Sequence, residues 1–219
     1  MKTLRYALLV STVALSACSS PQDVSEQNFA DAMSAYLNKH GQLCLDATAW
    51  PVDLGQTDME RMMDFAPLGR GLRMEALAAA GLVSGTLVEV DGAQRPGLPM
   101  GPTRQVMRYT LTEQAQPFLQ ARPTTEYSTS GVPSPAQVTD LCFGRKVLDR
   151  IVKWTEPGAR NEVVVSYTYR IDALAEWASS PKMHEAYPGM GDLIAKAGQG
   201  VERHRLALSN EGWQARGMD

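Results

Sequence analysis

The segment from Val163 to Ile171, Val-Val-Val-Ser-Tyr-Thr-Tyr-Arg-Ile, alternates between apolar and more polar side chains. Every odd-numbered position is aliphatic or aromatic, and three of the four positions between them are polar. A period of two places the odd-numbered side chains on one face of an extended strand. The segment therefore predicts a strand with one face against a core, and this strand decides our prediction of the fold.

Further strands and short helices surround this segment. Residues 147–154 have the composition of a strand, and residues 204–208 and 213–216 form a predicted strand pair that closes the chain. Asp172 is a predicted cap for a short helix that ends at Trp177, and residues 193–201 form a second predicted helix. The C-terminal part therefore predicts an antiparallel sheet with short helices.

The preceding part of the chain has a helical period. Ser25 is suited to cap a helix that Gly41 would end, with one apolar face formed by Phe29, Ala32, Met33, Tyr36 and Leu37. Farther on, a predicted helix over residues 72–80 precedes strands over residues 86–90 and 105–112. This order of helix, strand, loop and strand resembles a winged-helix unit over about residues 56–119.

Together these patterns predict an α+β fold in two halves. Residues 26–120 hold the N-terminal helix and the winged-helix-like unit, and residues 139–219 hold the antiparallel-sheet half. The segment 121–138 is rich in Pro, Ser and Thr and is a predicted linker. The spacing of Cys44 to Leu111 nearly equals that of Cys142 to Leu208. The second half is therefore either a pseudo-repeat of the first or similar to it by chance.

The first residues of the chain predict export. Lys2 and Arg5 precede an apolar run over residues 6–15 that is too short to cross a bilayer. A positive start, a short apolar run and then small residues are typical of a secretory signal. The run ends in Leu15-Ser16-Ala17-Cys18, which resembles the lipobox of bacterial lipoproteins.

This motif predicts where the protein works. We expect a signal peptide over residues 1–17, an acylated Cys18 as the mature N-terminus, and a tether over residues 18–25. By resemblance to lipoproteins, Ser19 after the cysteine implies the outer membrane, with the folded body in the periplasm. A signal that is cleaved without lipid addition is the alternative.

The charge of the chain limits its partners. It has 21 Lys and Arg against 24 Asp and Glu, a formal net charge of −3. Loss of the signal removes Lys2 and Arg5 and no acid, which leaves 19 basic and 24 acidic residues, a balance of −5. This balance argues against a nucleic-acid partner and against broad attraction to anionic lipid.

Two cysteines remain if Cys18 carries lipid. Cys44 and Cys142 both follow a leucine in an apolar setting. Cysteines in an oxidising compartment usually pair, so we predict a Cys44–Cys142 disulfide. On the chain-entropy model, closing so long a loop stabilises the fold by about 4 kcal/mol. Two buried free thiols are the alternative.

No catalytic, cofactor or metal motif is specific in this sequence. Residues 179–182 match the Ser-x-x-Lys pattern of penicillin-binding enzymes, but Pro181 lies inside the helical turn that this chemistry requires. His40, His184 and His204 are in no metal-binding or catalytic motif, and surface roles are the simpler interpretation. We therefore predict no cofactor and no catalytic residue, although a hydrolase site built from distant residues is an alternative.

Methionine-based metal handling is a further alternative. Met59, Met62 and Met63 are close in sequence, and thioethers are soft ligands that suit Cu(I). The same spacing also matches the apolar face of a helix, where methionine is a common core residue. The core interpretation is the simpler one, so we predict no metal site.

Three tryptophans are candidates for ligand binding. Trp154, Trp177 and Trp213 all lie in the second half, next to polar residues and turns. Aromatic and polar groups together form many ligand grooves. The alternative is that these side chains are part of the core, which is the more common role of tryptophan.

Four motifs of the second half resemble a family of uncharacterised proteobacterial lipoproteins. They are Cys142-Phe143-Gly144; Ile151-Val152-Lys153-Trp154-Thr155-Glu156-Pro157; Tyr167-Thr168-Tyr169-Arg170-Ile171 with Leu174-Ala175-Glu176-Trp177-Ala178; and Leu208-Ser209-Asn210-Glu211-Gly212-Trp213. The resemblance implies an exported α+β protein and carries over no active site.

The sequence thus favours a lipid-anchored envelope protein with a non-enzymatic binding or structural role. Its expected contacts are the membrane, through the N-terminal lipid, and another envelope protein or a cell-wall component, with no nucleic acid. A periplasmic hydrolase with a non-contiguous site and a copper-handling protein are the alternatives.

Overall fold

A computed structural model describes residues 20–45, 49–55, 69–91, 101–127, 131 and 133–217. Within these residues the chain has the predicted α+β fold. The helices are α1 (Glu26–His40), α2 (Arg70–Ala79), α3 (Pro181–Ala186) and α4 (Pro188–Lys196), with 3₁₀ helices at Glu113–Phe118 and Glu176–Ser179. The strands are β1 (Gln42–Leu45), β2 (Val52–Leu54), β3 (Val83–Val90), β4 (Arg104–Leu111), β5 (Leu119–Tyr127), β6 (Pro133–Trp154), β7 (Glu162–Asp172), β8 (Glu202–Ser209) and β9 (Gly212–Ala215).

The long strand β6 pairs with three other strands of the larger sheet. The strand order of this sheet is β1-β6-β7-β8-β9, and β5 also pairs with β6. The first part of β6 pairs with β5 and its last part with β7, both antiparallel. Leu141 pairs with Leu45 of β1 and also with Leu119 of β5. The strands β1 and β5 therefore lie on opposite edges of β6.

Helix α1 covers one face of this sheet, and its sequence signals are confirmed. The Ser25 hydroxyl accepts a hydrogen bond from the Asn28 backbone N–H, and Gly41 follows the last helical residue. The face predicted to be apolar packs against the odd-numbered side chains of β7, as the period of two requires. The buried residues of this core are Phe29, Ala32, Met33, Leu37, Ile151, Val163, Val165, Tyr167, Tyr169, Leu206 and Trp213.

The smaller sheet has the order β2-β4-β3 and packs with α2. Helix α2 is followed directly by β3, which pairs with β4 along its full length. The helix and strand order of the winged-helix-like prediction is therefore present in the described residues. The segment with Met59, Met62 and Met63, whose spacing also matches the apolar face of a helix, lies outside them.

The segment 121–138, predicted to be a linker, contains strands instead. Strand β5 and the start of β6 form an antiparallel ribbon, in which Pro123 lies opposite Gln137 and Pro135 opposite Thr125. Over this length, each of the two strands has a neighbouring strand on one edge only among the described residues. Proline lacks a backbone N–H, and an unpaired strand edge tolerates it without the loss of a sheet hydrogen bond. The composition that predicted a linker is therefore compatible with an edge ribbon.

The two predicted halves are interleaved in space. Helix α1 and strand β1 precede the segment 121–138 but contact the sheet that follows it, and the Lys146 N–H donates to the Gly41 carbonyl at 2.7 Å. The two junctions compared for a repeat also differ. Leu111 leads into a 3₁₀ helix, whereas Leu208 leads into the tight β8–β9 hairpin.

Two predicted helix boundaries are wrong. Asp172 is the last residue of β7, where its carboxylate pairs with Arg170 at 3.1 Å, and the 3₁₀ helix begins only at Glu176. The final helix is α4, which begins at Pro188 rather than near residue 193. Proline is favoured in the first turn of a helix because no N–H partner is needed there.

Candidate functional site

The predicted disulfide is present. Cys44 of β1 and Cys142 of β6 are directly opposite each other in the strand register and are bonded, with an S–S distance of 2.06 Å. Each cysteine adjoins a leucine, Leu45 or Leu141, that is buried in the core beneath the sheet. The similar sequence settings of the two cysteines therefore reflect neighbouring strands that share one core.

The predicted tether is folded onto the body from its first described residue. The Ser20 N–H donates to the Asp23 carboxylate at 2.8 Å. The Asn28 side-chain amide donates to the Ser20 carbonyl at 2.8 Å and to the Asp23 carbonyl at 2.9 Å. This turn fixes residues 20–23 against the start of α1. Cys18 itself lies outside the described residues, two positions before Ser20.

The candidate Trp213 holds this N-terminal turn in place, and the candidate Trp154 packs against Phe29 of α1. The Trp213 indole N–H donates to the Gln22 and Asp23 carbonyls at 3.2 and 3.1 Å. The Phe29 ring lies between Trp213 and Trp154, with ring centroids 5.1 and 5.4 Å away. Trp213 is 7% exposed and Trp154 is 37% exposed. These contacts give Trp154 and Trp213 a packing role. For Trp213, a place in the core is therefore a better interpretation than ligand binding.

Trp177 lies elsewhere, beside an open cavity of about 710 Å³. Its ring packs edge-on against Phe118 and Phe143, with ring centroids 5.7 and 6.4 Å apart, respectively. Its indole N–H is buried, and no described residue accepts a hydrogen bond from it. Apolar surface predominates in the cavity, which is lined by Ala79, Ala80, Phe118, Glu176, Trp177, Ser180, Pro181 and Lys182. The three candidate tryptophans therefore do not form one groove: Trp177 lines this cavity, and Trp213 lines a separate, smaller one of about 290 Å³.

A polar cavity of about 420 Å³ lies beside the disulfide and was not predicted. Asp140 is buried at its wall, and one carboxylate oxygen accepts from the Arg122 guanidinium at 2.8 Å. This hydrogen bond raises the pKa of Arg122 above its usual value. The other oxygen of Asp140 is buried without a partner among the described residues. Asp140 and Arg122 lie on separate strands, so their pairing follows from the register of β5 and β6.

A hydrogen-bonded network links the larger sheet to α4. Glu202 accepts from the Lys146 ammonium at 2.9 and 3.0 Å and from the Tyr167 hydroxyl at 2.9 Å. The same ammonium lies 4.1 Å from the centre of the Tyr169 ring, and the Tyr169 hydroxyl donates to the Leu193 carbonyl at 2.7 Å. Burial, and then the nearby Glu202 carboxylate, strongly raise the pKa of Tyr167. Every polar group of this network has a partner, which indicates a structural role.

The histidines take part in local hydrogen bonds. The Nε2 atom of His184 lies 2.9 Å from the Ala178 carbonyl oxygen, and that of His204 lies 2.7 Å from the Arg216 carbonyl oxygen. A carbonyl oxygen can only accept, so each Nε2 carries the proton. The Tyr36 ring lies between the His40 and His204 rings, with ring centroids 4.7 and 4.3 Å away, respectively. These contacts account for the histidines as structural groups.

The described residues contain no group of three or more His, Cys, Asp or Glu side chains placed to hold a metal ion. The methionines considered for copper lie outside the described part of the chain. Ser179 and Lys182 of the Ser-x-x-Lys match lie in different helices, since Ser179 ends the 3₁₀ helix and Lys182 belongs to α3. Ser180, between them, caps α3 by accepting from the Met183 N–H at 3.3 Å. The match therefore does not form the single helical turn that this chemistry requires.

No helix within the described ranges is long and apolar enough to cross a membrane. Comparisons with protein-family models, with curated proteins and with solved structures found no match. Function is therefore inferred from the sequence motifs and from the geometry of the described residues.

Proposed function

We propose that this protein is a bacterial lipoprotein, anchored to the outer membrane through acyl chains on Cys18, with its folded body in the periplasm. The observation that supports this most strongly is the Cys44–Cys142 disulfide. Disulfides form and persist in oxidising compartments such as the periplasm. The pair also leaves Cys18, at the end of the lipobox-like sequence, as the third cysteine of the chain.

The N-terminal turn implies a short link between anchor and body. If Cys18 carries the lipid, only Ser19 separates it from Ser20, which is hydrogen-bonded to the body. Two residues span at most about 7 Å. The body would therefore sit directly on the membrane surface, because most of the predicted tether is folded against the start of α1.

Fatty-acid labelling in living bacteria tests the anchor. We expect cells that are fed an alkyne-labelled palmitate to label the wild-type protein and the Ser19→Ala variant, which keeps the cysteine. The Cys18→Ser variant should lose the label completely, because it lacks the thiol that is acylated. Equal labelling of the wild type and Cys18→Ser would contradict the proposal.

We further propose that the body binds another envelope protein at the cavity beside Trp177. The apolar floor of Phe118, Trp177 and two alanines would accept an apolar side chain, while Glu176 and Lys182 supply polar groups at the rim. Recognition sites commonly combine a mostly apolar pocket with a few polar groups that fix orientation. The partly buried Trp177 ring is a suitable binding anchor, since tryptophan is enriched among residues that dominate binding energy.

Site-specific photo-crosslinking in cells tests this binding role. A photoreactive amino acid at Lys182, on the rim, should give a discrete crosslinked band, whereas the same group at the exposed Arg160 should not. Adding Trp177→Ala should reduce the Lys182 band at least about tenfold, the loss expected when a binding anchor is truncated. A band of equal intensity at both positions, or one that Trp177→Ala leaves unchanged, would rule out this cavity as the binding site.

A further inference from the structure

Four cations lie together on the face of the larger sheet that points away from α1. Lys153, Arg203, Arg205 and Arg216 form this group, which we call the basic patch. Lys153 is opposite Ser166 in the strand register, and Ser166 is opposite Arg203. Neighbouring side chains along β7 point to opposite faces, and Val165 and Tyr167 pack against α1. Ser166 and its two register partners therefore face away from the helix.

The remaining two cations adjoin this row. Val164 lies opposite Arg205 on the same outer face, and the Arg216 N–H donates to the Arg205 carbonyl at 3.0 Å. The three arginines line a surface cavity of about 710 Å³, together with Glu162, Val164, His204 and Gly217. Strands are spaced about 4.8 Å apart, so cations from β6, β8 and the end of β9 share one compact surface.

Few carboxylates of the described residues neutralise the basic patch. Within the described part of the chain, Glu162 is the one carboxylate that lines the cavity, and it lies 3.6 Å from Arg205. Among the described residues, no carboxylate lies within ion-pair distance of Lys153, Arg203 or Arg216. Farther along the same face, by contrast, Arg170 is paired with Asp172 and Arg150 with Asp149. The four cations and Glu162 give a local charge of +3 on a chain whose net charge is −3.

We propose that the basic patch binds the phosphate groups of an anionic phospholipid bilayer. The guanidinium group presents several N–H donors in a plane that matches phosphate oxygens, so three arginines around one cavity suit this chemistry. The proposal rests on the proposed membrane anchor, which keeps a bilayer within reach. Gly212, at the start of β9, lies so close to Pro21 that an added Cβ would be 2.8 Å from the Pro21 carbonyl oxygen. Arg216 is four residues farther along the chain than Gly212, and therefore about 13 Å from it.

The negative charge of the whole chain does not prevent this interaction. Salt screens charges beyond a Debye length of about 8 Å at physiological ionic strength. Only groups close to the bilayer surface therefore contribute strongly. The overall balance predicts no broad attraction to anionic lipid, but a local patch with a net charge of +3 binds at short range.

Vesicle binding of an acyl-free protein tests the proposal. The probe protein is the mature chain from residue 18 with Cys18→Ser, and the vesicles contain either phosphatidylglycerol with phosphatidylcholine or phosphatidylcholine alone. We expect binding only to the vesicles with phosphatidylglycerol, and weaker binding as salt is raised. Each arginine near an anionic surface contributes about a fivefold gain, so Arg203→Gln with Arg205→Gln should weaken binding about 30-fold.

A matched control removes the same charge elsewhere. Arg70 begins α2 and Arg104 begins β4; both are exposed and lie on the other sheet unit. Arg70→Gln with Arg104→Gln should change vesicle binding by less than about threefold, because those residues lie outside the patch. Equal weakening by the two double variants, or equal binding to both kinds of vesicle, would overturn the proposal. Failure of fatty-acid labelling at Cys18 would instead refute the anchor and leave the vesicle result unaffected.

Discussion

Replacing Cys44 and Cys142 together by alanine should lower the free energy of unfolding by about 4 kcal/mol. The disulfide joins residues separated by 98 positions, so its removal gives the unfolded chain a large gain in conformational entropy. Domains are usually stable by only about 5–15 kcal/mol, so this loss is a large fraction of the total. Urea unfolding of the acyl-free mature chain, followed by tryptophan fluorescence, measures the change.

The third cysteine provides a control with the same substitution. A mature chain with Cys18→Ala in place of Cys18→Ser is also acyl-free and keeps the Cys44–Cys142 bond, so its urea midpoint should equal that of the parent chain. Reducing the parent chain should reproduce most of the loss seen in the double variant. A loss below about 1 kcal/mol would show that the bond contributes little to holding β1 against β6.

Replacing Phe29 by alanine should destabilise the protein by about 3–5 kcal/mol, the cost of truncating a large core aromatic side chain. Phe29 is fully buried and lies between Trp154 and Trp213. Its loss removes edge-on ring contacts on both sides and leaves a cavity under α1. Because both neighbours are tryptophans, the emission spectrum of the folded variant should also change. Urea unfolding gives the stability, and fluorescence below the transition gives the spectrum.

The control for Phe29→Ala is Leu87→Ala. Leu87 is 57% exposed on β3, so its truncation should change stability by less than about 0.5 kcal/mol. If Phe29→Ala were as mild as Leu87→Ala, the packing of α1 against the sheet would be other than described.

Local signals in the sequence predicted the elements that depend on local physics. The cap at Ser25 and the stop at Gly41 bound α1, and the period of two in residues 163–171 identified β7 and its buried face. The β8–β9 hairpin follows from two short apolar runs around a polar turn. The disulfide followed from the number of cysteines and from the oxidising compartment that the signal-like sequence predicts, although its place across two adjacent strands did not.

Features that depend on strand register could not be predicted. The basic patch draws Lys153, Arg203 and Arg216 from different strands, and only their pairing brings them onto one face. The Asp140–Arg122 pair likewise joins two strands of a ribbon whose prolines suggested a linker. A single sequence shows which side chains alternate along one strand but leaves open which strand lies beside it.

The mass of the intact mature protein, purified from membranes, tests the central claim most directly. The account predicts a chain that begins at Cys18, carries acyl chains on that residue, and contains one disulfide between Cys44 and Cys142. Alkylation after denaturation should then modify no cysteine, and after reduction it should modify two. A mature chain that begins elsewhere, or one with an unmodified Cys18 thiol, would contradict the membrane anchor.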